Sequence, residues 1–553
     1  MAASTPNGAS RHLVVLLLGV AVIFAVHLRS WTFLCDDAYI SFRYAENLAL
    51  HGVPVYNVEP VEKVEGYTNP LWVGVLAVMR RLGAAPPEVA PWLTALAALI
   101  ILGSTVGALR AAQTRWSRAP LVESLAFFPA LWLALTPEFV VWASSGLETS
   151  AAVAFGIASL LATLRQRWRW AGGLAAAAVL TRPDSVVWLA AAACLPLADA
   201  LRSREGAQRP IREMSTGLLI FALPVVAHLL WRHAYYGAWV PNTFAVKGDA
   251  AAYRGEWGSA YLLNWLRGSG VWIFAVLLPF LRRAQLPWVL GALASLAWAW
   301  WVGGDFMAYS RFLLPATVLA ALAAGGSLLE LRALWMRRAP ALAPRVSVLV
   351  GAFALALAVT AAWRLPARVE ADEHNAWLDG RWESVTGMRT FASVRVAAGE
   401  AFARAVEPNT WASVGAAGAM PYASRLPTFD VFALVDPAAF AAENSRPAAR
   451  PRPGHARAAT PAYVSSRAPT LMCHVGSVGP EIPPEREARR RGGPGWGWAC
   501  VATGEIDERS APEGRMPSQW YCCLARRDGP LGDRLPDLEA RLPDPAGATE
   551  ATP

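Results

Sequence analysis

The chain has 553 residues, of which 55% are hydrophobic and only 16% charged, with a formal net charge of +9. Soluble domains carry about a quarter charged residues. This composition, with a mean hydropathy of +0.31 and 26 Trp, therefore excludes an ordinary soluble enzyme and reads as a helical membrane protein. The basic residues stand in short clusters between apolar runs, which speaks against a nucleic-acid partner.

Apolar runs of spanning length fall near residues 11–29, 88–109, 119–137, 147–164, 170–183, 185–201, 214–232, 268–282, 286–303, 311–330 and 345–363, roughly eleven membrane helices. Arg11 and His12 ahead of the first run look like the head of a signal peptide. No small-x-small cleavage site precedes Asp36, so the run is expected to stay as the first span. Residues 71–82 are apolar but brief and fit an interfacial or re-entrant helix.

Alternate connections are Arg-rich: Arg110, Arg115 and Arg118; Arg165, Arg167 and Arg169; Arg202, Arg204, Arg209 and Arg212; Arg282 and Arg283; Arg332, Arg337, Arg338 and Arg345. By the positive-inside rule these face the cytoplasm. Asp36, Glu148, Asp184, Lys247, Asp305 and Arg311 are then expected together on the outer face.

Hydropathy falls after Trp363, and residues 364–527 read as an α/β domain outside the cytoplasm, with 1–363 as the transmembrane domain and 528–553 as a disordered tail. Val414–Gly418 reads as a strand-end turn and Phe429–Asp436 as a buried strand with acidic ends. Residues 440–462 and 480–495 read as loops. Cys473, Cys500, Cys522 and Cys523 lack Cys-x-x-Cys spacing, so no zinc site is signalled. Outside the cytoplasm at least one disulfide among them is expected, and not between adjacent Cys522 and Cys523.

The chemistry-bearing residues cluster at span ends. Asp36 and Asp37 follow the first span. A carboxylate there is either solvated, a cap for a following helix, or a base, and an adjacent pair is more than a cap requires. In a crevice, desolvation and mutual repulsion raise one pKa and make that group a better proton acceptor. Glu59, Glu62, Lys63, Glu65, Tyr67 and Asn69 form a polar segment, read either as plain surface or as a loop that orders a sugar through Tyr67 and Asn69. Glu148 and the Arg182–Asp184 pair stand at outer span ends, where ionisable groups have a partner or a cavity. For Arg182 a structural salt bridge competes evenly with function. Pro241-Asn242-Thr243 leads to Lys247, and Gly303-Gly304-Asp305-Phe306 leads to Arg311. Lys247 and Arg311 suit either a phosphate or a lipid headgroup. No Walker-type loop, His-Glu-x-x-His or Gly-x-Ser-x-Gly is present.

Asp36-Asp37-Ala38-Tyr39-Ile40 with Arg43-Tyr44, then Glu65-Gly66-Tyr67-Thr68-Asn69-Pro70-Leu71-Trp72, resembles the first outer loop of GT-C membrane glycosyltransferases. Ser145–Thr149, Thr181–Asp184, Pro241–Phe244, Gly303–Phe306, Gly454-His455 and Ala462-Tyr463-Val464 look like later blocks of one branch, the terminal β-(1→2) arabinofuranosyltransferases of actinobacterial cell-wall synthesis.

The resemblance covers most of residues 12–480. It implies a mainly α, polytopic protein of the bacterial cytoplasmic membrane with an extracytoplasmic α/β domain. It implies an inverting transfer of a sugar from a polyprenyl-phosphate donor to an envelope glycan or other acceptor. Carried over residue by residue, it gives Asp36 as base and Asp37 as its assistant. Lys247, Arg311, Arg182 and Lys63 become candidates for the donor phosphate. Arg43, Tyr67, Asn69, Glu148, Asn242 and Asp305 become candidates for substrate contact. Some branches use a divalent metal and others none; a metal here would fall to Asp36 and Asp37. Two readings from other classes stand beside this one. A transporter or flippase of lipid-linked sugars would show symmetry-related halves, and no half-to-half similarity is visible. A non-catalytic envelope assembly protein would use the C-terminal domain to bind partners.

Overall fold

The computed structural model describes residues 7–531 except 118, 120, 122, 203–207, 248–252, 364, 376, 379–380, 449–450, 505, 508–514 and 517. The expected tail therefore lies outside the described residues from 532 onward. The chain is mainly helical up to Trp363, and a sheet-containing region follows.

The first helix, Asn7–Arg29, leads through a short extended link into the helix Asp36–His51. Asp36 and Asp37 fill the first turn of that second helix, where unpaired backbone N–H groups favour negative charge. Gly52, at φ 75°, ends it in the left-handed conformation. The helix Pro70–Arg81 packs against it, and the 71–82 stretch is thus a helix too short to span.

Among the described residues four helices are long and apolar enough to cross a membrane: Pro86–Trp116, Ser185–Arg202, Ile211–Tyr236 and Ala308–Arg338. A fifth is reached if Arg254–Ser269 and Val271–Phe280, bent by 81° at Gly270, count as one broken span. Val14–Arg29, Thr149–Leu164 and Val348–Thr360 are shorter apolar helices. The count of roughly eleven is therefore not reached by length. The reason is local. The 119–137 run is cut by Pro129 and Pro137 into Glu123–Ala126, Phe128–Leu135 and Pro137–Val140. The 268–282 run winds as a tight 3₁₀ coil.

The core is continuous from the membrane helices into the C-terminal region. Trp31, Trp132, Trp142 and Trp288 share one buried cluster with Val385, Met388, Ala417 and Ala419. The C-terminal sheet has five strands: β1 Ala412–Val414, β2 Thr428–Asp430, β3 Leu471–Gly479, β4 Trp496–Ala502 and β5 Trp520–Arg526. Their order is β2-β1-β3-β5-β4. β1 runs parallel to β2 and β3, and β5 runs antiparallel to β3 and β4. The helix Val385–Ala405 covers one face through Val394, Ala398 and Phe402. Ser384 caps it by accepting the Gly387 N–H at 2.8 Å.

Two disulfides, Cys473–Cys523 and Cys500–Cys522, join β5 to both neighbours. Adjacent side chains on a strand point to opposite faces, so Cys522 and Cys523 reach opposite sides of the sheet.

Two expectations for this region are corrected. Phe429–Asp436 is not one strand, because β2 stops at Asp430. The Asp430 carboxylate accepts the N–H groups of Phe432 and Leu434, both at 2.8 Å, and folds the chain into a turn. Nor are 440–462 and 480–495 plain loops. They hold the ladder Ser445–Pro447 with Arg457–Ala459, and the helices Pro461–Ser466 and Glu485–Gly492. The strand-end turn at Val414–Gly418 is present after β1.

Candidate active site

A cavity of about 1260 Å³ lies between one end of the helical bundle and the C-terminal sheet region. Its first wall is the start of the helix Asp36–His51, and both Asp36 and Asp37 line it. Asp36 accepts the N–H of Ala419 on Oδ1 at 2.9 Å. Gly418 precedes that N–H and lies so close that a Cβ there would overlap the Asp36 backbone and carboxylate. Asp36 is partly buried at the cavity wall, and this desolvation pushes its pKa up to about 6, against the pull of Arg395 and the Ala419 N–H.

The second wall is a buried polar chain. Asn69 and Ser41 exchange hydrogen bonds at 3.0 and 3.2 Å, and Asn69 also donates to Glu148 at 2.7 Å. Arg182 binds Glu148 at 2.9 Å and forks onto Asp184 at 3.1 and 2.9 Å. Each of its three nitrogens thus faces a carboxylate, which makes Arg182 chiefly a brace. Tyr67 lines the cavity with its hydroxyl 3.2 Å from that of Tyr236.

Gly303 and Gly304, at φ 80° and 74°, form a left-handed turn that carries Asp305 into the cavity. Asp305 pairs with Arg311 at 2.6 Å. Arg311 follows Tyr309 and Ser310, two non-glycine residues at φ 53° and 46°. Trp142 donates to the Tyr309 carbonyl at 3.3 Å, and the Tyr309 hydroxyl donates to Asp372 at 3.4 Å, so this turn is held from both sides. The buried Nε of Arg311 has no protein hydrogen-bond partner. The same holds for Nε of Arg254, which begins a single π turn and stacks over Trp301 at 3.9 Å.

The remaining sequence candidates stand elsewhere. Arg43 does not line the cavity; it donates to the carbonyls of Tyr56, Pro421 and Leu426 and to Asn57, at 2.5–3.1 Å. It stitches the helix Asp36–His51 to the C-terminal region. Asn242 donates to the carbonyls of Ala433 and Leu434 and likewise joins two parts of the chain. Lys63 is exposed and lies over the Tyr235 ring at 4.8 Å. Lys247 ends the helix Asn242–Lys247, and its side chain lies outside the described residues.

The C-terminal wall was not foreseen as part of the site, apart from the Gly454-His455 block. It contributes Glu383, Arg395, Arg452, His455 and His474. His455 packs edge-on against Phe306 and Phe432 at 5.4 and 4.5 Å. Arg452 lies over Phe306 at 4.4 Å. His474 is 2.8 Å from the Ser413 hydroxyl, and burial lowers its pKa to about 4, so it is neutral at physiological pH. The backbone N–H of Glu383 binds the Phe306 carbonyl at 2.9 Å. These residues are 340 or more positions from Asp36 in sequence and carry no shared spacing that would reveal them.

Among the described residues no group of three or more His, Cys, Asp or Glu is arranged to hold a metal ion. Asp36 already gives one oxygen to a backbone N–H.

The family described as "Domain of unknown function (DUF8728)" matches residues 386–505, the larger part of the C-terminal wall. No curated protein matches the chain. Among solved structures, ArnT from Cupriavidus metallidurans bound to undecaprenyl phosphate is similar at 16% identity and a TM-score of 0.51, covering 75% of this chain and 85% of that one. The apo state of the same protein gives 14% identity and a TM-score of 0.49, over 76% and 86%. The likeness is one of fold: a helical membrane protein with a C-terminal sheet-containing region.

Proposed function

We propose that the chain is an inverting glycosyltransferase that moves a sugar from a polyprenyl-phosphate donor to an envelope glycan on the outer face of the cytoplasmic membrane. The observation that supports it most is one cavity holding three unlike surfaces. Asp36 and Asp37 supply carboxylates, and Arg311 and Arg254 supply guanidinium groups with unpaired Nε atoms. Val186, Trp301 and Phe244 line the same cavity while standing 46%, 55% and 54% exposed, an open apolar flank. A lipid phosphate that carries a sugar needs such a set: an apolar path for the chain, cations for the phosphate and a base beside the sugar. The fold neighbour's bound undecaprenyl phosphate supports the same donor class.

In this reading Asp36, at a pKa of about 6, is ionised at neutral pH yet more basic than an ordinary Asp. It takes the acceptor hydroxyl proton as that oxygen attacks the anomeric carbon. The bond from carbon to phosphate oxygen breaks, and polyprenyl phosphate leaves with its charge met by Arg311 and Arg254. Asp37 orients the acceptor. Arg182, with Glu148 and Asn69, holds the wall in place. Arabinofuranose is the first sugar to test.

Purified protein in lipid nanodiscs should be offered a panel of polyprenyl-phosphate pentoses and hexoses with cell-envelope glycan acceptors, and the products weighed by mass spectrometry. One panel member is expected to lose its sugar to an acceptor. Movement of a donor across vesicles without a new glycoside would favour a flippase instead. Inertness toward the whole panel would sink the proposal.

A further inference from the structure

We propose that Glu383 binds a sugar hydroxyl in the cavity and does so as the un-ionised acid, donating a hydrogen bond. This rests on the glycosyltransferase reading above and adds to it a residue of the C-terminal wall. Three observations carry it.

The first is position. Glu383 lines the cavity from a backbone pinned on both sides. Its own N–H binds the Phe306 carbonyl at 2.9 Å. The preceding Trp382 is buried edge-on between Trp257 and Tyr261 at 5.7 and 5.9 Å. The site is thus built before a substrate arrives.

The second is company. Asp36 and Asp37 in the first turn of the helix Asp36–His51, and Asp305 on the turn that includes Phe306, line the same cavity as Glu383, and theirs are the negative charges that act on it. Arg311 gives one Nη to Asp305 and keeps its Nε unpaired. Two residues before Glu383, Arg381 pairs with Glu256 at 2.7 Å. Arg452 is the cation that acts on Glu383 itself. A fourth negative charge here would oppose the three already present. Burial, with Arg452 working against it and the three aspartates adding to it, pushes the Glu383 pKa up to about 8.

The third is chemistry. A carboxylate only accepts hydrogen bonds, whereas the acid both donates and accepts. A sugar hydroxyl also does both, so the acid matches it and leaves the field at Asp36 unaltered.

Glu383→Gln keeps the shape and the donor–acceptor pair but cannot ionise, and two readouts test the idea. The first needs no activity. A carboxyl whose folded pKa lies above its unfolded value of 4.5 costs stability as pH rises from there toward about 8. The melting temperature of Glu383→Gln should therefore exceed that of wild type near pH 8, with the gap closing toward about pH 5. A gap independent of pH, or of opposite sign, would overturn the un-ionised acid. The second readout is transfer from whichever panel donor wild type consumes. Glu383→Ala should lower kcat/KM about a hundredfold, and Glu383→Gln about tenfold or less with its alkaline decline removed. Equal losses in the two variants, or an alkaline decline unchanged in Glu383→Gln, would overturn the sugar contact. If no panel donor is consumed, the sugar role falls with the catalytic reading, and the melting curves still decide the protonation.

Discussion

At Asp36 two physical effects pull in opposite directions: exclusion of bulk water raises the pKa, while Arg395 and the Ala419 N–H lower it, and the balance rests at about 6. A base must be ionised to act, so transfer is expected to rise with pH through about 6 and fall away below it. Asp36→Asn should lose about 10²–10⁴-fold in kcat while still binding donor, because the amide cannot take the proton. Wild-type turnover in a well-expressed Asp36→Asn protein would remove the base assignment and make Asp37 the next candidate.

The two arginines should separate in the same assay. Arg311→Ala is expected to raise the KM for donor about tenfold, since one charge-assisted contact is lost, and to cost stability as well because Asp305 is left without its cation. Arg182→Ala leaves Glu148 and Asp184 without their cation and should cost about 3 kcal/mol of stability with the donor KM little changed. The donor KM, read beside the denaturation curves, tells the two apart. At this scale the sequence shows which residue types stand at span ends. It does not show that all three Arg182 nitrogens face carboxylates, because that depends on Glu148 from a distant part of the chain as well as on Asp184.

Elements behave less uniformly than residues. Apolar runs announce helices, and most of the expected spans are indeed helical. Whether a run is straight, cut or bent depends on Pro129, Pro137 and the turn at Gly270, which hydropathy does not register. The strand at Phe429 fails for a similar reason. Its apolar pattern is right, but the Asp430 side chain captures two backbone N–H groups and ends the ladder.

Compartment alone suggests at least one disulfide, while the sheet register accounts for two. Cys522 stands directly opposite Cys500 across β4 and β5, and Cys523 faces β3. Non-reducing peptide mapping should recover Cys473–Cys523 and Cys500–Cys522. Free thiols at all four positions would contradict it. Replacing either pair by Ala is expected to cost about 2–5 kcal/mol.

On the scale of the whole molecule, the Arg-rich connections predict which side of the membrane each end of the bundle faces. With Cys35 buried, a Cys194→Ser background leaves few native thiols to confuse labelling. A cysteine at exposed Glu443 should react with an impermeant reagent in intact cells, and one at exposed Gln166 should not. The opposite pattern would turn the bundle over and place the cavity in the cytoplasm.

The sequence makes the helical wall of the cavity legible because its motifs recur at span ends. It leaves the far wall of the cavity hidden, because Glu383, Arg452 and His474 reach the site only through tertiary packing.

That packing sets a rule for any attempt to recombine this protein with a relative. The carboxylate at Asp36 is seated on Ala419, Gly418 tolerates no side chain beside it, and Arg43 ties the same helix to Pro421 and Leu426. A chimera that exchanged residues 386–505 alone would set a foreign backbone against a native first loop. Exchanging the loop from Asp36 to Asn69 together with that segment should preserve the fit. The two stretches, distant in the gene, would have to be inherited as a single module.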